Sequence, residues 1–265
     1  MQRLRSEGAV PGRRGENASA ATDTTTASAE RAAADQLAEA RGNMYRLLSA
    51  LYLAPPRPEL LRQLADTQNL DELSSLFGER AVFELKEYAA VATVDGDTVN
   101  LKQEYMDLFG VPTGRYVSPF EDVHWGTEAE GDRAKLGPLL GERAIAVIRR
   151  YREAGAEIDR ACKELPTHVG VELAFMSFLC EREAGAHPDV PRGTGLDPAG
   201  SGALKRASLR HLQRRFLDEH LNRWFPRLSG MIRAKSKSPF YRGLAVLSEQ
   251  YLAQDSAFLA GASGE

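Results

Sequence analysis

Cysteine is scarce in this chain. Cys162 and Cys180 are the only two in 265 residues. They show no paired spacing, so no disulfide framework or zinc knuckle follows, and a reducing compartment is the simpler setting. Long apolar runs are also missing, which leaves no segment of bilayer-spanning length. Arg13 and Arg14 are followed by Gly15, Glu16, Asn17 and a Thr-rich tract. An export signal needs an apolar core after its basic residues, so the expectation is a cytoplasmic protein. No glycine-rich phosphate loop or dinucleotide fingerprint occurs, and there is no nucleophile elbow. Ser, His and Asp fall at no spacing that implies a triad, although triads are defined by geometry. Neither sign of charge dominates: the net charge of −3 names no partner. Strand-like alternation of convincing length and internal repeats are absent too.

What is present is helical. A hydrophobic share of 43% beside 27% charged residues suits a soluble chain that buries a real core. Residues 1–29 are rich in Ala, Thr, Ser, Gly and Arg without large apolar side chains, the composition of a disordered tail. From Ala32, apolar residues including Leu37, Met44, Tyr45, Leu48, Leu51 and Tyr52 recur at helical spacing until Pro55-Pro56. Helices are expected over residues 58–65, 70–77 and 80–94. Asp95-Gly96 then reads as a turn, and Asp97 or Thr98 as the cap of a helix carrying Leu101, Tyr105, Leu108 and Phe109. Further helices are expected over 137–154, from Pro166 to about 183, and over 203–219, 221–235 and 240–259. Residues 187–202 hold three prolines and several glycines, the signature of a linker. The expected architecture is all-α: one globular domain of about nine or ten helices over residues 30–260, with a hinge at about 186–202.

Two stretches stand out. In the segment after Pro166, Val169, Val171, Leu173, Phe175, Met176, Phe178 and Leu179 leave almost no polar face, so that helix is buried. Inside it His168 and Glu172 lie four residues apart, on one face. An unpaired carboxylate there would be costly, so Glu172 needs either access to solvent or a partner, such as His168 or a backbone amide from a neighbouring loop. Thr167 sits where an N-cap belongs. His168 and Glu172 read most simply as a structural pair orienting two helices. As a metal site they are too few, and His124, His187, His211 and His220 lie in unrelated contexts.

The second stretch is RYVSPFEDVHWG, residues 115–126, where Tyr116, Phe120, His124 and Trp125 crowd around Glu121 and Asp122 in a segment that does not look helical. Residues 104–132 are strongly acidic, and acids beside aromatics suit a partner both basic and apolar. The C-terminal part is basic, with Arg206, Arg210, Arg214, Arg215, Arg223 and others. That leaves a nucleic-acid face as a rival to a solvated helix surface.

Three stretches carry a family resemblance: EYMDLFGVP (104–112), SPFEDVHWG (118–126) and LPTHVGVELAFMSFL (165–179). In order and separation they resemble the TorD/DmsD/NarJ family of cytoplasmic assembly chaperones for molybdenum enzymes of the dimethyl sulfoxide reductase type. The closest likeness is to the branch serving type II enzymes, such as nitrate or selenate reductases. The resemblance covers roughly residues 32–259. It implies an all-helical, non-enzymatic protein with no cofactor of its own. Such a protein binds the N-terminal signal, often of twin-arginine type, of a molybdopterin oxidoreductase catalytic subunit and holds the subunit for cofactor insertion. It implies a monomer or a domain-swapped dimer. In the family's third motif an Asp precedes the histidine. Here Pro166, His168 and Glu172 match, while Thr167 replaces that Asp. The client-binding residues expected on this basis are Tyr105, Phe109, Tyr116, Phe120, Glu121, Asp122, His124, Trp125, Pro166, Thr167, His168 and Glu172, lining a groove with aromatics for an apolar stretch and acids for basic residues. The rivals are a helical metal- or cofactor-binding enzyme using His168, Glu172 and His124, and a nucleic-acid-binding regulator using the basic C-terminal helices.

Overall fold

A computed structural model describes residues 16–92, 94–112, 114–125, 140–185, 196–198 and 206–261. Among them the chain forms α1 (Glu16–Leu53), α2 (Pro58–Ala65), α3 (Thr67–Phe77), α4 (Glu79–Val91) and α5 (Val94–Tyr105), which runs on into a π-helical turn, Met106–Gly110. Next come the four-residue α6 (Glu121–His124), α7 (Glu142–Glu153) and α8 (Val169–Glu183). The C-terminal part contains α9 (Arg206–Phe216), a second π-helical turn (Leu217–Leu221), α10 (Asn222–Lys235) and α11 (Pro239–Gly261). The fold is all-α, as the apolar periodicity predicts. One short antiparallel pair departs from it: β1 (Ala156–Ile158) bonds to β2 (Leu196–Pro198). Apart from β2, the expected hinge lies outside the described residues.

Three local expectations change. The backbone of α1 is already helical at Glu16, not at Ala32; its first turns are rich in Ala, which favours helix without needing an apolar face. Asp95-Gly96 lies inside α5 rather than in a turn. The segment around Phe120 contains the helical turn α6. Elsewhere the local rules hold. Pro58 opens α2, where a missing N–H costs nothing. The Asp66 carboxylate caps α3 by accepting from Gln68 N and Asn69 N at 2.9 and 3.2 Å. Gly78, at φ 84°, takes the left-handed conformation that ends α3 and lets α4 begin at once.

α8 is the axis of the fold: every residue from Val169 to Cys180 is buried. α1 packs along it, and α9 lies against its other side. The α1–α8 approach is close enough that a Cβ on Gly170 would come within 2.5 Å of Leu53 Cγ. A second layer forms where α11 meets α4 and α10. There a Cβ on Gly243 would sit 2.9 Å from the Leu85 backbone nitrogen, so only glycine permits that spacing. Large aromatics, including Tyr45, Tyr52, Phe175, Phe216, Phe225 and Phe240, fill the space between.

One buried polar node ties four of these helices together. Arg41 of α1 donates to Glu183 of α8 at 3.1 Å and to Asp255 of α11 at 3.0 Å, and also bonds Gln213 of α9. Gln213 donates to Glu183 at 2.9 Å, and Tyr45 to Asp255 at 2.6 Å. Every group in the node is buried, so removing the guanidinium takes the arginine from Asp255 and leaves Glu183 with Arg210 alone of its two arginines. Arg41→Met is therefore expected to lower unfolding free energy by about 3–5 kcal/mol in urea titrations, as for other broken buried pairs. Arg46→Ala, which removes the partly exposed Arg46–Glu181 pair, should cost no more than about 1 kcal/mol.

Candidate functional site

The second and third sequence motifs meet through their backbones. Glu121 N donates to Thr167 O at 2.9 Å and Val169 N to Pro119 O at 2.8 Å, a single antiparallel bridge between Phe120 and His168. Tyr151 of α7 fixes the same strand by donating its hydroxyl to Pro166 O at 2.8 Å. This bridge holds α6 across the N-terminus of α8.

The cap of α8 is His168, not Thr167. Its Nδ1 accepts from Gly170 N at 3.0 Å, so the imidazole must be neutral and its proton must sit on Nε2. The Thr167 hydroxyl instead donates to Asp122 Oδ2 at 2.7 Å. The other Asp122 oxygen accepts from Ala144 N at 3.3 Å, in the first turn of α7. A carboxylate at that helix end meets unsatisfied amides and the positive pole of the helix dipole. Asp122 thus joins α6, α7 and the start of α8.

Glu121 is buried and collects donors from both sides. Trp125 Nε1 donates to it at 2.9 Å, and His220 Nδ1, on the second π-helical turn, lies 3.0 Å from both of its oxygens. Glu172 is buried beside it. Trp224 Nε1 of α10 donates to Glu172 Oε2 at 3.1 Å, whereas Oε1 faces no N–H or other donor. The Glu121 carboxylate lies within hydrogen-bonding reach of Glu172, and burial followed by that negative neighbour pushes the Glu172 carboxyl well above its ordinary range. A proton on Glu172 supplies the missing donor and turns a carboxylate–carboxylate repulsion into a hydrogen bond. His124 stacks on Trp224 with ring centroids 5.2 Å apart, and its Nε2 lies 2.7 Å from Ser118 O. Burial lowers its pKa.

The expected residues therefore divide. Phe120, Glu121, Asp122, His124, Trp125, Thr167, His168 and Glu172 form one polar cluster under α6, with Pro166 on the bridging strand. Glu121, Asp122, His124, Thr167, His168 and Glu172 are buried, so they are not an open groove wall in this structure. Only Phe120 and Trp125 reach its rim, both half-buried. Phe120 sets its edge against His168 at 5.3 Å, and the Arg143 guanidinium covers the Trp125 ring at 3.4 Å. Tyr105 and Phe109 pack instead against Tyr241, Tyr105 donates to Tyr52 O at 3.0 Å, and Phe109 touches the Tyr52 ring. Tyr116 is half-buried beside them in sequence, and Lys235 Nζ donates to its carbonyl at 2.6 Å.

His168 and Glu172 are not bonded to each other despite their spacing, because each turns to a different partner. His220 and Trp224 are the residues sequence reasoning missed. His124 and His220 were placed in unrelated contexts, yet both enter this cluster. The available signal was the i, i+4 pairing of His220 and Trp224 on an otherwise basic helix. Four arginines of that basic stretch are matched by acids: Arg206 pairs with Asp35, Arg210 with Glu183, Arg214 with Asp218 and Arg215 with Glu219.

Burial pushes the His168 pKa down to about 3. In the unfolded chain its pKa returns to about 6.5. Below that value the unfolded chain binds a proton that the fold excludes, so this histidine costs stability as pH falls. His168→Asn keeps a capping acceptor and removes the proton site. Between pH 7 and pH 5 the variant is expected to lose up to about 2 kcal/mol less unfolding free energy than the parent chain, read from denaturant titrations at the two pH values.

The sequence profile of the family described as nitrate reductase delta subunit matches residues 71–229 of this chain. The stretch spans α3 to α10 and includes the whole polar cluster. The perchlorate reductase assembly chaperone protein of Dechloromonas aromatica is 30% identical over 102 residues, 38% of this chain and 40% of that protein. The selenate reductase assembly chaperone protein of Thauera selenatis is 33% identical over 91 residues, 34% of this chain and 40% of that protein. The chaperone protein TorD of Shewanella loihica is more distant, at 21% identity, but aligns over 221 residues, 82% of this chain and 92% of its own length. With a profile match over more than half its length, the chain belongs to the nitrate reductase delta subunit family, the TorD/NarJ group that its three motifs resemble.

Proposed function

We propose that this protein is an assembly chaperone for a molybdopterin oxidoreductase. It would bind the N-terminal, twin-arginine type signal region of the catalytic subunit in the cytoplasm and hold that subunit until its cofactor is inserted. Family membership and the printed functions of the perchlorate, selenate and TorD relatives support the chaperone class. The perchlorate and selenate relatives also favour the branch serving type II enzymes.

The observation that carries the signal-peptide part is the state of Trp125. Its ring face already holds a guanidinium, that of Arg143, while its indole N–H is bonded to the buried Glu121 carboxylate. An aromatic face backed by a carboxylate is chemically a receptor for arginine. A ligand arginine can take the place of Arg143, and the neighbouring Phe120 offers apolar surface for the stretch that follows an arginine pair. Tyr105 and Phe109 then act by supporting the fold rather than by touching the ligand.

The enzyme reading is weaker in chemical terms. His168 Nδ1 has its lone pair committed to Gly170 N, and Glu172 carries a proton, so neither offers a donor pair to a metal in this arrangement. Among the described residues no three His, Cys, Asp or Glu side chains are grouped to hold a metal ion. No described helix is long and apolar enough to cross a membrane.

Glu121 is fully buried, so reversing its charge would test folding rather than recognition. Trp125 is the informative position. Titration calorimetry with a twin-arginine signal peptide should show Trp125→Ala binding at least about tenfold more weakly, a loss of about 1.4 kcal/mol. Trp125→Phe, which keeps the ring face, should fall between the two. Equal affinity in Trp125→Ala and the parent, with unchanged circular dichroism, would remove Trp125 from the binding surface.

A further inference from the structure

We propose that α6 is a proton-linked latch: the carboxyl proton shared between Glu172 and Glu121 keeps this turn docked on α8, and loss of that proton at higher pH releases it. Regulation of client access follows only if the signal-peptide reading above holds; the latch itself does not depend on it.

The turn is short. It has four residues, and its ends are closed by Val123 N to Phe120 O at 3.2 Å and Trp125 N to Glu121 O at 3.3 Å. Its position is therefore set by the side chains beneath it and by the one-residue bridge to His168, not by a helical ladder of its own. Beneath it, two carboxyl groups meet in a dry site. Glu172 receives one donor, Trp224, and its second oxygen has none apart from a proton shared with Glu121. With both groups ionised, two like charges would share a volume that holds no water-facing surface, since Glu121 and Glu172 are both fully buried.

The groups facing this pair come from every neighbouring element. On α6 they are Glu121, Asp122 and His124. His168 lies at the start of α8, Tyr151 and Arg143 on α7, His220 on the second π-helical turn, and Trp224 and Arg227 on α10. Arg143 covers Trp125, Arg227 acts on His124 and lowers that histidine's pKa after burial does, and Asp122 adds further negative charge near Glu172. Among the described residues no lysine or arginine bonds the carboxyl of Glu121 or Glu172. His220 already serves both oxygens of Glu121, so a second ionised carboxylate on Glu172 has no basic side chain of its own, and moving α6 toward water is the available relief.

The direction of the effect follows. The docked turn holds the Glu172 proton, and the released turn does not. Docking is complete below the ordinary glutamate value, weakens as pH rises above it, and levels once Glu172 ionises even in the docked state. Release of one proton changes the docked-to-released ratio by at most about tenfold per pH unit. His168 acts oppositely, because it must stay neutral to accept from Gly170 N, and its protonation loosens the turn only on the acid side.

The chain carries its own probes. Its two tryptophans, Trp125 and Trp224, donate to Glu121 and Glu172 respectively. The test is tryptophan emission and acrylamide quenching of the full chain from about pH 7.5 to about pH 9, above the ordinary histidine value, with far-UV circular dichroism recorded in parallel. Glu172→Gln is the partner variant, since an amide keeps an acceptor for Trp224 and offers Glu121 a permanent donor. The parent should show a reversible red shift and a rise in quenching with pH while its helical signal stays constant; the variant should show neither. A flat parent profile, or the same step in Glu172→Gln, overturns the latch. If the variant does not fold, amide-exchange protection of residues 120–125 in the parent decides: it must fall with pH relative to that of α8, and equal protection at both pH values overturns the latch. Calorimetry with the twin-arginine peptide separates the two proposals. A fluorescence step without peptide binding leaves the latch standing and removes the signal-peptide reading, while pH-independent peptide binding with no step does the reverse.

Discussion

A carboxyl group in the middle of a buried helix has to be neutral, paired or hydrogen-bonded, and the site is organised around meeting that demand. Glu172 lies on α8, whose surroundings are otherwise apolar, and it cannot reach solvent. Trp224 answers one of its oxygens, and the other has no donor beside it, while burial and the neighbouring Glu121 push the Glu172 carboxyl well above its ordinary range. Glu121 in turn needs His220 and Trp125, and bringing Glu121 to that point requires α6 to lie across the start of α8. Asp122 then reaches the first turn of α7. One buried acid thus fixes how four helical elements meet.

The rest of the fold gives that constraint its rigidity. α1 and α11 are locked to α8 and α9 by the Arg41 node, and small residues at Gly170 and Gly243 let neighbouring helices approach closely. The two π-helical turns fall beside the site. The first leads into the segment that carries Tyr116 and Phe120, and the second aims His220 at Glu121. An extra residue in a helical turn re-aims the side chains that follow, which is how such turns come to serve sites. α6 is tucked into this body with all four of its residues buried, and it carries the acids and leads into the aromatic rim proposed to recognise a basic signal.

The substitution of Thr167 for the family's usual Asp has a local answer. A threonine hydroxyl donates to Asp122, where an aspartate would add a third negative charge beside Glu121 and Asp122. Capping of α8 passes to His168.

Composition and periodicity by themselves determined the helical class, most helix positions and the burial of α8, because helical spacing of apolar residues and proline or glycine stops act over a few residues. They also singled out Glu121, Asp122 and Glu172, since acids in an apolar setting are costly wherever they fall, and the structure buries all three. The partners of those acids were decided only by tertiary structure. His220 and Trp224 reach Glu121 and Glu172 from far along the chain, and no local rule links them. His168 rather than Thr167 became the cap because the backbone bridge to Phe120 turned the imidazole toward Gly170. Tyr105 and Phe109 looked like groove aromatics and became core, because α1 and α11 converge on them. Whether an aromatic faces a ligand or a neighbouring helix depends on which elements surround it, and that is a property of the packed chain.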